Sequence, residues 1–163
     1  MSLLVAGVVA LVGAAGLVRG ALPQNAPAGA SQASASAPMV VSGAYVREPA
    51  NGINAAAYFT VYNTTGDADV LTSVNSGAGA ETTLHTEMGG SMSSSAAGLT
   101  IPAHGSVSLS PGKGHAMIEK LYGPVKPGQT VNLQLDFAKA GEVLVTAPVI
   151  AIGASAPTAG APK

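Results

Sequence analysis

From Val40 onward the chain alternates apolar and polar side chains with period two. The clearest run sets Val131, Leu133, Leu135 and Phe137 against Asn132, Gln134 and Asp136, the pattern of a half-buried strand. Comparable runs cover Val40 to Arg47, Ala55 to Asn63, Val70 to Val74, Thr82 to Thr86, Gly98 to Pro102, Ser106 to Leu109, Ala116 to Glu119 and Glu142 to Val149. Turn formers separate them: Asn51-Gly52, Thr65-Gly66-Asp67, Gly89-Gly90, Pro111-Gly112, Pro127-Gly128 and Ala140-Gly141. Many short strands without an amphipathic helix predict an all-β fold, either a β-sandwich or a small Greek-key barrel.

The ends break this pattern. Leu3 to Val18 is an uncharged apolar run of 16 residues followed by Arg19. It falls between the h-region of a signal peptide and a full membrane span, so residues 1–20 are expected to be a signal peptide or an N-terminal membrane anchor. Residues 21–38 contain Ala, Pro, Gly, Ser, Gln, Asn, Leu and little else, a composition suited to a flexible linker. Residues 151–163 have the same character and read as a disordered tail. The folded unit is then 39–150, one domain's worth of a 163-residue chain.

Composition narrows the function. Only 9% of residues are charged and the net charge is −1, so no basic surface is present to neutralise a row of phosphates, and nucleic acid is excluded as a partner. Cys is absent, which removes disulfides, thiolate ligands and a lipid attached to cysteine. The chain has no Gly-x-Ser-x-Gly elbow, no phosphate-binding glycine loop and no His-Glu-x-x-His motif. An enzyme is not expected. A hydrolase assembled from distant residues is the weakest alternative.

Methionine and histidine are concentrated in two places. His85-Thr86-Glu87-Met88-Gly89-Gly90-Ser91-Met92 carries one His and two Met, and His115-Ala116-Met117 carries another His and Met. On a strand His115 and Met117 point to one side, so ring nitrogen and thioether sulfur can hold one ion. The 85–92 segment reads as a polar loop rather than a core strand, and its Gly-Gly turn lets a flexible hairpin bring a further His and Met over that pair. Imidazole and thioether ligands without thiolate select Cu(I) over Mg, Ca or Mn and suit Zn poorly. The absence of Cys also suits an oxidising compartment and argues against a blue-copper electron carrier. Taken singly, each Met is better read as core filler. His104, in the Pro102-Ala-His-Gly105 turn, reads as a surface residue, and Met39 as either an accessory ligand or a staple.

These residues resemble the PCuAC-type family of extracytoplasmic copper chaperones. The family pattern is a His, a Met about ten residues on, and a His-x-Met pair about 21 or 22 residues later. Here Met92 is followed by 22 residues and then His115-Ala-Met117. Ala44-Tyr45-Val46-Arg47, with Tyr where the family usually has Trp, Ala55-Ala56-Ala57-Tyr58, Asn63, Ile101-Pro102-Ala103 and Leu109-Ser-Pro111-Gly112 add to the likeness. The resemblance covers about Val40 to Val149. It implies a cupredoxin-like barrel with His85, Met92, His115 and Met117 as Cu(I) ligands. Only six residues separate His85 from Met92, so Met88 could replace or supplement Met92. The implied role is delivery of copper outside the cytoplasm to the Cu(A) centre of cytochrome c oxidase subunit II, alongside a Sco-type protein. The tail lacks the His-rich extension that binds Cu(II) in some relatives. A monomer is expected, touching membrane only through the N-terminal segment. The competing reading is an extracellular structural or adhesion β-sandwich with incidental Met and His.

Overall fold

The computed structural model describes residues 38–88 and 91–158. The segment expected to be a signal peptide or anchor and all but the last residue of the linker lie outside the described residues, as does the end of the tail. No described helix is long and apolar enough to cross a membrane.

Among the described residues are ten strands: β1 Met39–Arg47, β2 Ala55–Asn63, β3 Asp69–Ser76, β4 Gly79–Met88, β5 Ser91–Ser94, β6 Leu99–Ile101, β7 Ser106–Leu109, β8 Gly114–Leu121, β9 Thr130–Phe137 and β10 Gly141–Ile150. They join in the order β5-β4-β8-β2-β1-β10-β9-β3-β6, with β7 also on β2. Every run expected from the alternation is present: six are longer by one to five residues, β2 and β7 match, and the run over Gly98 to Pro102 shortens to Leu99–Ile101. The addition is β5. Its Ser-Met-Ser-Ser sequence has no apolar alternation and all four residues are exposed, so only its pairing with β4 marks it as a strand. The hairpin expected over 85–92 is present, its arms paired as an antiparallel ladder and not left as a loop.

One hydrophobic cluster lies between the two halves of this sheet. From one half come Val46, Ala57, Phe59, Val61, Leu84, Ala116 and Ile118, and from the other Leu71, Val74, Ile101, Val131, Leu133, Leu135, Phe137 and Ala147. The alternating face read on β9 is the buried one. β10 joins the halves: it runs antiparallel to β9 for most of its length and then parallel to β1 through Val46↔Val149. Met39 is buried in this core, which makes it the staple of the two readings offered for it.

A β-bulge in β1 matters for what lies outside the core. Pairing with β2 slips between Ser42 and Tyr45, where Gly43 adopts a positive φ of 61° that a side chain would disfavour. After the slip Val46 still faces the core opposite Ala57, and Tyr45 faces outward opposite Tyr58.

Candidate metal site

Strand alternation divides β8 cleanly. Gly114, Ala116 and Ile118 are buried, and His115 and Met117 between them are half-buried on the other face. On β4 Leu84 turns into the core, so His85 faces outward with His115. Register then brings the two histidines together, because His85 is directly opposite His115 and Thr83 opposite Met117. The imidazoles stack with centroids 5.1 Å apart and planes 7° from parallel.

β5 extends the same face. Ser94 lies opposite His85 and Met92 opposite Glu87, so Met92 is a diagonal neighbour of His85 across the ladder. Its side chain is 42% exposed. Met88 pairs with Ser91 at the end of the same ladder, and its side chain lies outside what the structure describes. His104 stays apart, exposed in the β6–β7 turn with a φ of 49°, as expected of a surface residue. Two distant stretches of sequence thus place His85, Met92, His115 and Met117 on one face of three adjacent strands.

The flank toward β2 is closed by aromatic rings. Tyr58 packs tilted against His115 at 6.2 Å, and Tyr45 stacks on Tyr58 at 5.1 Å. The Arg47 guanidinium lies 6.0 Å over the Tyr45 ring. Both tyrosines are buried although they belong to the outer face. Arg47, Asn51, Asn54 and Ala56 border a cleft that reaches Met117. Spacing alone gives no signal for this row, because it depends on the bulged β1–β2 register.

The electrostatics favour a neutral His115 ring. Nε2 of His115 is buried with no hydrogen-bond partner, a position that is costly for a polar atom unless something occupies it. Burial, followed by repulsion from His85, holds the His115 pKa below its ordinary 6.5, which favours the neutral ring that can coordinate. Among the described residues no three His, Asp or Glu side chains gather around a common point.

The sign of this shift can be tested. Between the folded and ordinary values the unfolded chain binds more protons at His115 than the folded one does, so this contribution to stability falls as pH drops below about 6.5. NMR titration of the copper-free protein should place the His115 midpoint below 6.5. A midpoint at or above that value would contradict the burial seen here.

A face of imidazole and thioether groups thus lies on an all-β frame. Residues 39–149 match the family model for LpqE-like lipoproteins. The chain belongs to this family, which is of PCuAC type, and its fold is cupredoxin-like. Among solved structures it is similar to the copper(I) form of DR1885 from Deinococcus radiodurans, with 31% identity and a TM-score of 0.60 over 74% of this chain and 84% of that one. The copper-bound PCuAC domain from PmoF2 shares the fold, at 24% identity and a TM-score of 0.62 over 71% of this chain and 94% of that domain. No curated protein matches the chain. None of the 163 residues is cysteine, so a thioether-linked lipid of the kind lipoproteins carry has no acceptor among them.

Proposed function

We propose that this protein is a copper(I) chaperone acting outside the cytoplasm and not an enzyme. His85, His115 and Met117 would hold the ion, with Met92 or Met88 completing the set. The observation that carries this reading is the buried, partnerless Nε2 of His115 beside a parallel His85 ring, with Met117 on the same face. Neutral nitrogen and thioether donors hold Cu(I) without needing thiolate chemistry. Solved relatives with bound copper support it. Copper is cargo here: it is taken up and released by exchange of ligands, with no bond made in a substrate. The family resemblance extends the reading to delivery to the Cu(A) site of cytochrome c oxidase subunit II, with a Sco-type protein as co-worker.

Titration with Cu(I) against a competing chromophoric chelator should give one ion per chain. The His115→Ala, Met117→Ala double variant should bind at least about 100-fold more weakly, each lost ligand costing about tenfold or more. Binding unchanged in that variant would defeat the assignment.

A further inference from the structure

Resting on that copper reading, we propose that copper enters and leaves over the β5 edge, with Met92 the ligand that yields first and His115 and Met117 retained until the incoming ligand is bound. The two flanks of the site differ in a way that imposes this order. Toward β2 the His115 ring is backed by Tyr58 and then Tyr45, both buried, and β8 is paired on both sides, with β4 and with β2. Toward β5 the sheet ends. Met92 is 42% exposed there, on a strand of four exposed residues. In contrast, Nε2 of His115 is buried.

Hydrogen-bond polarity points the same way. Ser95 N–H bonds to Leu84 O, so in this antiparallel ladder residues 91, 93 and 95 bond toward β4. The backbone groups of Met92 and Ser94 then point out from the sheet edge. An acceptor segment carrying sulfur can therefore pair briefly with the edge and lie beside the exposed thioether. A four-residue edge suits a transient encounter better than a lasting interface. In the transfer, the bond from copper to the Met92 sulfur breaks as a bond to the incoming sulfur forms. Copper remains Cu(I), no electron moves, and an incoming thiol gives its proton to water.

The test is a rate against affinity comparison on the full-length copper-loaded protein, with bicinchoninate as the chelating probe. A ligand already released at the rate-limiting barrier reports its loss as faster release. One still bound there reports its loss as slower capture, by the same logic that partitions folding rates. For Met92→Leu, affinity should fall about tenfold and release should quicken by about the same factor. For Met117→Leu a similar loss of affinity should show as slower capture. Because Met92 is exposed, its replacement should leave the fold intact, which circular dichroism checks. Faster release in Met117→Leu or Met88→Leu but not in Met92→Leu would overturn the exchange order while leaving the copper assignment standing. Absence of Cu(I) binding by the unaltered protein would instead remove the reading on which the order rests.

Discussion

Asp69→Ala should destabilise the domain by about 3–5 kcal/mol, since it removes the charged acceptor of three part-buried backbone N–H groups, and a hydrogen bond to a charged group contributes about 1.5–3 kcal/mol. Asp69 is almost fully buried at the start of β3. Its Oδ1 accepts hydrogen bonds from the N–H groups of Val70 at 2.7 Å and Lys139 at 2.9 Å, and its Oδ2 accepts one from Ala140 at 2.9 Å. One carboxylate thus ties the first residue of β3 to the β9–β10 turn, while Asp69 also pairs with Ile101 of β6. Burial alone would raise its pKa. The three N–H donors and the charge of Lys139 outweigh that and hold it below the ordinary 3.8. A carboxylate depressed in this way contributes stability that is present above the unfolded pKa and lost as pH falls through the folded one. Chemical denaturation from pH 6 to pH 2.5 should therefore show a steep acid loss below about pH 4, and Asp69→Asn should flatten it. The flattening should be partial. Asp136, bonded by Ser73, Gln134 and Asn75, is also held low and remains in that variant. A melting temperature for Asp69→Ala within a degree or two of the parent would show that the turn does not depend on this carboxylate.

The contrast between Asp69 and the copper face explains what could be read from the sequence. Alternation located β8, β9 and β10 because each buries one face, and period-two burial writes itself into the order of residues. His115 and Met117 were placed on a common side by the same rule. It could not say which residue of β4 stands opposite them. The direct His85↔His115 pair follows from a non-local register between β4 and β8, whose paired residues lie 28 or more apart along the chain. The Tyr58 and Tyr45 wall was hidden for a related reason, since it requires the Gly43 bulge and then two further strand pairings. β5 was missed because neither of its faces is buried. Asp69 reads as one more acid in a turn until the β9–β10 segment is brought to it across about 70 residues. Local periodicity therefore gave the strands, and long-range pairing decided which of their side chains meet.

That dependence on pairing makes Gly114 the sharpest point at which to disturb the site without touching a ligand. Gly114 precedes His115 and pairs with Thr86, which follows His85. A Cβ on Gly114 would lie 2.7 Å from the carbonyl oxygen of His85 and 2.8 Å from Cδ2 of Leu109. The Leu109 side chain could yield by changing rotamer, but the His85 carbonyl belongs to the ladder, so β8 must shift away from β4 beside the stacked imidazoles. Gly114→Ala should cost about 1–3 kcal/mol in chemical denaturation, as overpacking does. It should also weaken Cu(I) binding about tenfold, the scale seen when the support of a metal ligand is altered. Adding Leu109→Ala should not restore copper binding, because the clash with the backbone persists. Gly79 supplies the positional control. A Cβ there would lie 2.5 Å from the carbonyl of Glu119 and 2.8 Å from Cγ2 of Ile118, at the far end of the same strand pair. Gly79→Ala should lose comparable stability and keep its copper affinity within about twofold, because it leaves the histidine pair in register. Equal loss of copper in both variants would mean that binding follows overall stability and not the spacing of β4 and β8 at His85 and His115.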